Sequence, residues 1–185
     1  MLPEIPGRLP MNDRQRTVGS LLADYPIYDG ESHPEQSHEY WMKAALLLAR
    51  QAAVEGEVPV GAVIVRRNAI LAADYNGRET FRNAVYHAET AAIADACKKL
   101  NGWRLTECTL YVTLEPCPMC AGSIWNARVP AVVMGAKDPK AGAMGSLMNF
   151  NAYPLNHKPV VVSGILEREC RALLQDFFTK RRKKP

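Results

Sequence analysis

The sequence predicts an α/β protein in three layers, with helices on both faces of one mixed sheet of five strands. Segments of β-branched and small apolar residues alternate with segments in which apolar residues recur at helical spacing. The first two strand candidates are separated by a short polar stretch, which indicates a hairpin, and a β-α-β-α-β rhythm follows, which indicates some parallel strands. The 185 residues are 48% hydrophobic and 23% charged. These proportions are typical of one globular domain and exclude disordered and collagen-like chains.

Residues 1–36 are predicted to form an irregular or disordered leader. They contain five prolines, show no sustained periodicity and carry more acidic than basic side chains. The folded domain is predicted to span residues 37–182. It begins at Ser37, a candidate N-cap, because apolar residues recur at helical spacing from there to about residue 55.

The middle of the chain predicts a hairpin, a loop and a second helix. Residues 58–65 are β-branched and small, and a polar stretch separates them from a similar segment at residues 70–73. Residues 76–84 are polar and predict a loop. Alanine and isoleucine then fall at helical spacing, which predicts a helix over residues 87–100.

The remaining elements are short apolar strands and amphipathic helices, with one glycine-rich loop. In order they are a strand at 109–114, a helix at 119–127, a strand at 131–134, the loop at 135–145, a strand at 160–162 and a helix at 167–181. No apolar run approaches the roughly 18 residues that a membrane-spanning helix needs, so no membrane partner is expected.

Charge and cysteine content bear on partners and location. The formal net charge is +4, and positive charge is concentrated at the C-terminal end, in Lys180, Arg181, Arg182, Lys183 and Lys184. This tail can meet a polyanion, or it can be a solvated segment that aids solubility. The cysteine count is five, an odd number, and the N-terminus lacks a secretory pattern. A disulfide framework is therefore not expected, and a reducing, cytoplasmic location is.

Two short motifs together predict a metal site. His87-Ala88-Glu89 and Pro116-Cys117-Pro118-Met119-Cys120 each lie where a strand or loop passes into a helix. His87, Cys117 and Cys120 supply three of the imidazole and thiolate ligands that zinc prefers, and a fourth position stays open for water, as in catalytic zinc sites. Metal coordination lowers the pKa of water toward about 7. Glu89 is the expected base, because it follows the ligand His87 by two residues.

Two other interpretations of the cysteine pair are compatible with the sequence. A CxxC motif also occurs in thioredoxin-like redox proteins, although His87 and Glu89 count against that reading. A closed structural zinc site needs a fourth ligand. The candidates for it are Cys97, Cys108, Cys170 and His157.

The H-A-E motif, followed after 26 residues by P-C-P-M-C, resembles the signature of zinc-dependent nucleobase deaminases. Further stretches resemble the TadA-type tRNA-specific adenosine deaminases of the cytidine/deoxycytidylate deaminase superfamily. They are E-V-P-V-G-A-V at 57–63, T-L-E-P-C at 113–117, G-S-L-M at 145–148, and D-F-F at 176–178 with the basic residues after it. The resemblance covers roughly residues 37–183. Lys137 and Asn149 depart from it, standing where arginine and aspartate are common in the family.

The resemblance implies a cytidine-deaminase-like fold and hydrolytic deamination of adenosine to inosine at wobble position 34 of a tRNA anticodon. It implies one zinc ion per subunit, proton transfer by Glu89 and help from the N–H groups of Ala88 and Cys117. It also implies a homodimer and, as partner, an anticodon stem-loop such as that of an arginine tRNA with an ACG anticodon. Substrate contacts are implied for Asn76, Ala88, Pro116, Lys137, Asp138, Asn156, Phe178 and Arg181.

Two alternatives to the tRNA substrate follow from the same motifs. The zinc residues also suit a deaminase of a free base or nucleoside, such as guanine, cytosine or cytidine. The aromatic and basic last helix and the loop around Asp138 favour RNA over these substrates. A non-catalytic zinc module that only holds RNA or protein is the other alternative. Glu89 counts against it, because a structural site gains nothing from a carboxylate beside an open metal position.

Overall fold

The computed structural model of the protein describes residues 11–182. Residues 1–10 of the predicted leader and Lys183 and Lys184 of the basic tail lie outside the described residues. The strands are β1 (Gly61–Arg66), β2 (Ala69–Tyr75), β3 (Cys108–Leu114), β4 (Ala131–Ala136) and β5 (Val160–Ser163). The helices are α1 (Met11–Leu21), α2 (His38–Val54), α3 (Arg78–Phe81), α4 (Ala88–Lys99), α5 (Pro118–Asn126) and α6 (Glu167–Arg182), with a 3₁₀ turn at Phe150–Ala152.

The five strands form one mixed sheet in the order β2-β1-β3-β4-β5. β1 is antiparallel to β2 and β3, so the predicted hairpin is confirmed. β3, β4 and β5 run parallel to one another, so each pair needs a crossover connection. Helix α5 lies between β3 and β4, and the long segment that contains the 3₁₀ turn lies between β4 and β5. The carboxyl ends of these parallel strands therefore lie at one edge of the sheet, next to the helix N-termini that follow them.

Helices cover both faces of the sheet, which confirms the three-layer prediction. Helices α4 and α5 pack on one face, over a core that includes Ile64, Leu110 and Val132. Helices α1, α2 and α6 lie on the other face, over Val63, Tyr111 and their neighbours. The layers approach closely because the contacting residues are small. A Cβ atom on Gly61 would lie 2.2 Å from the carbonyl oxygen of Ala45 in α2.

The predicted irregular leader is wrong over Met11–Leu21, which forms helix α1. The helix is stabilised by tertiary contacts that a periodicity search does not see, since Arg14 and Leu22 are only 2% and 1% exposed. After α1 the chain follows the outer edge of β2. Ile27 forms a parallel bridge with Ile70, whose N–H donates to the carbonyl of Pro26 at 2.7 Å.

The loop predicted at residues 76–84 contains one short helix, α3, so the prediction is wrong there. A buried carboxylate accounts for the turn, because the N–H of Thr80 donates to Glu57 Oε1 at 2.6 Å. Arg82 then adopts a left-handed conformation with φ of 48° and ends the helix. Among residues 11–182, no helix combines the length and apolar character that crossing a membrane requires.

Candidate active site

Three metal-ligand side chains meet where helices α4 and α5 begin. His87 immediately precedes α4, Cys117 immediately precedes α5, and Cys120 lies in the first turn of α5. Their ligand atoms all lie within 4.8 Å of one another. His87 Nδ1 is 3.7 Å from Cys117 Sγ and 3.5 Å from Cys120 Sγ. Residues 30 positions apart in the chain are thus brought together because both helices pack on the same face of the sheet.

Local sequence explains how each ligand is presented. Pro118 stands in the first turn of α5, where its fixed φ favours a helix start and its missing N–H costs nothing. The N–H of His87 donates to Thr90 Oγ1 at 3.2 Å, which holds the imidazole at the entrance of α4. Two helix N-termini therefore direct their partial positive charge toward the thiol groups.

The donor set fits zinc. The group offers one imidazole and two thiols. Catalytic zinc sites with three protein ligands and an open position use this combination. A hydrogen bond with the Cys120 thiol and a second with His87 lower the pKa of Cys117 to about 4, against the opposing effect of burial. The hydrogen bond to Cys117 raises the pKa of His87 and, together with burial, that of Cys120. Cys97, Cys108, Cys170 and His157, the candidates for a fourth ligand, do not join the group.

Glu89 lies in the first turn of α4 and is 4% exposed. Burial raises the pKa of its carboxyl, which favours the protonated acid, while the nearby imidazole of His87 opposes this effect. A carboxyl whose pKa is raised in this way more readily holds a proton and can release it again, which is the requirement for general acid–base chemistry.

A cavity of about 210 Å³ opens beside the metal-ligand group and Glu89. Its lining combines apolar side chains with titratable ones from several elements. The lining residues are Val58, Val60, Asn76, Arg78, His87, Ala88, Glu89, Leu114, Glu115, Cys117, Asp138 and Ala141. A pocket with a few converging polar groups and perturbed pKa values is the usual form of an enzyme active site.

Asn76 follows β2 and is held in the cavity wall by its neighbours. Its N–H donates to the carbonyl of Val60 at 2.9 Å, and its side-chain Nδ2 donates to Glu57 Oε2 at 3.2 Å. The side chain is thereby oriented before any ligand binds, because its amide nitrogen is bonded to the fully buried side chain of Glu57.

The structure places the predicted substrate residues in three different settings. Asn76, Ala88 and Asp138 line the cavity together with the metal-ligand group. Pro116 is buried and does not line the cavity, and its carbonyl accepts from the N–H of Ala143 at 2.8 Å. The other four residues are exposed, and none is among the described residues that line the cavity: Lys137, Asn156, Phe178 and Arg181.

Two buried carboxylates support the cavity and were not among the predicted residues. Glu57 holds Asn76, as described above, and Glu115 holds the loop after β4. Glu115 Oε1 accepts from the N–H groups of Met144 at 2.9 Å and Ser146 at 3.0 Å, and its Oε2 accepts from Asp138 N–H at 3.1 Å. A signal for both was available, because Glu57 directly precedes one predicted strand and Glu115 directly follows another.

Comparison with known proteins agrees with this geometry. A model of the MafB19-like deaminase family matches residues 36–182. The tRNA-specific adenosine deaminase of Bacillus subtilis (strain 168) is 51% identical over 147 residues, which are 79% of this chain and 91% of the relative.

Two solved structures are also similar to this chain. One from a study of A-to-I editing by tRNA:A34 deaminases at the wobble position has a TM-score of 0.71 and 42% identity, over 73% of this chain and 99% of that chain. The guanine deaminase of Nitrosomonas europaea has a TM-score of 0.74 over 97% of this chain and 98% of that chain, but at 21% identity this likeness concerns the fold alone.

Proposed function

Since the chain belongs to the tRNA-specific adenosine deaminases, within the MafB19-like deaminase family, we propose that it hydrolyses adenosine to inosine at wobble position 34 of a tRNA anticodon. The observation that carries the proposal is the group of His87, Cys117 and Cys120, which lies next to a cavity that the buried Glu89 also lines. Hydrolytic deamination needs an activated water and a group that moves protons.

We assign His87, Cys117 and Cys120 as the ligands of one zinc ion per subunit. Bound there, zinc lowers the pKa of water so that a nucleophile is available at neutral pH. Glu89 takes the proton of the water that adds to C6 of adenine and delivers it to the ring nitrogen. It then takes the proton of the hydroxyl now on C6 and delivers it to the amino group. The bond from C6 to that nitrogen breaks as the C6 carbonyl forms, so that adenosine and water yield inosine and ammonia.

The adenine enters the cavity as a flipped, unstacked base, which single-stranded anticodon loops supply at low cost. Asn76 hydrogen-bonds the base in this proposal, since Glu57 already holds its amide nitrogen. The N–H groups of Ala88 and Cys117, at the N-termini of α4 and α5, stabilise the oxygen that adds to C6.

RNA contacts outside the cavity are a further part of the proposal. Asp138 lies at the cavity rim, and Lys137 beside it is exposed. Phe178 is 43% exposed and Arg181 follows it by one helical turn of α6, so an aromatic ring and a cation occur on one side of that helix. Aromatic rings stack on bases and cations contact phosphates. Asn156, before β5, is proposed as a contact on the family resemblance.

The decisive experiment offers the purified protein several substrates side by side. Zinc-quantified protein is incubated with an arginine tRNA bearing an ACG anticodon, with the same tRNA bearing GCG, and with guanine, cytosine, cytidine and free adenosine. Nucleoside mass spectrometry measures inosine and the other deamination products. Inosine in the ACG tRNA alone supports the proposal. Turnover of a free base or nucleoside with none in the tRNA contradicts it and identifies a small-molecule deaminase.

We also propose that the protein is a homodimer that acts in the cytoplasm, where it meets its tRNA substrate. The family resemblance supports the dimer. Light scattering coupled to size-exclusion chromatography measures the oligomeric state, and a mass of about 20.5 kDa, that of one chain, would contradict the dimer.

A further inference from the structure

We propose that helix α1 contributes to catalysis through Arg14, which acts as a positioning residue for Asn76. The helix precedes the family match at residues 36–182. This inference rests on the proposed function, because Asn76 is the residue assigned there to the base.

Arg14 is buried between the end of β2 and the end of α2. Its side chain is 3% exposed, and those of Asp74 and Glu55 are 15% exposed. Arg14 Nε donates to Asp74 Oδ1 at 2.7 Å, and Nη1 lies 3.5 Å from Glu55 Oε2. The guanidinium also lies 3.5 Å from the ring centroid of Tyr75. A buried cation is costly unless it is paired, and these contacts provide the pairing.

The remaining donor of Arg14 points to the segment that enters the cavity. Nη2 donates to the carbonyl of Tyr75 and, at 3.1 Å, to the carbonyl of Asn76. Two carboxylates already pair the charge, so anchoring the helix does not require these carbonyls. The planar fork of guanidinium donors reaches both at once, which a lysine cannot do.

Asn76 is consequently held from three sides. Val60 accepts from its N–H, Glu57 accepts from its side chain, and Arg14 donates to its carbonyl. The first two contacts come from residues within the family match, and the third comes from outside it. Loss of Arg14 leaves the carbonyl without its buried donor, so the peptide can rotate and carry the side chain of Asn76 away from its position in the cavity.

The experiment compares Arg14→Met with two control variants. Leu22→Ala loosens the attachment of the same segment without touching Asn76, because Leu22 is buried in the core under α1 and α2. Arg16→Met removes an exposed arginine of the same helix, whose side chain is 82% exposed. Inosine formation in the ACG tRNA is measured at a temperature well below the melting point of every variant, and zinc content is checked for each.

We expect Arg14→Met to lower kcat by about tenfold or more with little change in KM, because a small misplacement of a substrate-positioning group is costly and tRNA affinity is set largely by phosphate contacts. Leu22→Ala should lose less than about threefold and Arg16→Met nothing measurable. Should Arg14→Met fold poorly, Arg14→Lys, which keeps the charge, is expected to lower kcat in the same way.

Hydrogen exchange provides a readout that does not depend on activity. Amide exchange over residues 75–81 should be faster in Arg14→Met than in Leu22→Ala, while the remainder of the sheet stays unchanged. Equal exchange in this segment, or an equal loss of kcat in Arg14→Met and Leu22→Ala, would overturn the inference and leave Arg14 as an anchor only. A wild-type protein that forms no inosine would instead refute the proposed function, and the exchange result would still decide the role of Arg14.

Discussion

Replacing Glu115 by glutamine tests the role of the buried carboxylate beneath the cavity. Glu115 is 2% exposed and accepts three backbone N–H bonds and one from the hydroxyl of Ser146. Glutamine keeps one acceptor oxygen. We expect that oxygen to take the place of Oε1, because two backbone N–H groups, of Met144 and Ser146, converge there and the hydroxyl of Ser146 can rotate to accept instead.

The energetic cost follows from this choice. The N–H of Asp138 loses its acceptor, and a buried unsatisfied donor costs about 1–3 kcal/mol. The two bonds that remain lose the assistance of the negative charge, about 1 kcal/mol each. The relief from burying a charge offsets part of the sum. We therefore expect Glu115→Gln to lower the free energy of unfolding by about 3 kcal/mol, within a range of about 2–4 kcal/mol.

Urea denaturation measures this loss. The matched control is Glu107→Gln, which removes a carboxylate from an exposed pair with Arg66 and should leave the midpoint nearly unchanged, because exposed ion pairs contribute little. Activity should also fall in Glu115→Gln, since Asp138 lines the cavity. Equal midpoints for the two variants at equal m-values would refute the reasoning, because Glu115 would then contribute no more than a surface charge.

Three further predictions concern catalysis and RNA. Glu89→Ala should retain zinc and lose about 10²–10⁴-fold in inosine formation; full activity in the variant would remove Glu89 from the mechanism. Chelation should abolish activity and make Cys117 the thiol that iodoacetamide modifies most rapidly, since it is partly exposed and its pKa is low, and zinc should reverse both effects. Ending the chain before Lys180 should weaken tRNA binding and leave the zinc content unchanged. The slope of the logarithm of the binding constant against the logarithm of the salt concentration should become less steep by about 0.7 for each lost contact with a single-stranded phosphate. Unchanged binding in fluorescence anisotropy would identify a solvated tail.

The elements of the domain that sequence reasoning predicts are those whose information is local. Helix α2 has an N-cap at Ser37 and regular apolar spacing, and the β1–β2 hairpin has two β-branched segments around a polar turn. The metal-ligand group is likewise predictable, because zinc chemistry restricts both the residue types and their spacing within one helical turn.

The missed features depend on partners far away in the chain. Helix α1 has few apolar residues, and its buried side chain is an arginine that pairs with residues 41 and 60 positions away. Helix α3 is four residues long, too short for periodicity to register, and exists because Glu57 accepts from the N–H of Thr80. Helix propensity predicts neither contact, since both form only when the sheet is assembled.

The bridge between Ile27 and Ile70 has a consequence for association between molecules. β2 is an edge strand of the sheet, and an edge strand offers unpaired N–H and carbonyl groups to the strands of other chains. The pairing with Pro26 and Tyr28 occupies both backbone groups of Ile70. A protein truncated to begin at residue 37 would leave this edge open, and we expect it to aggregate at concentrations at which the full chain stays dispersed.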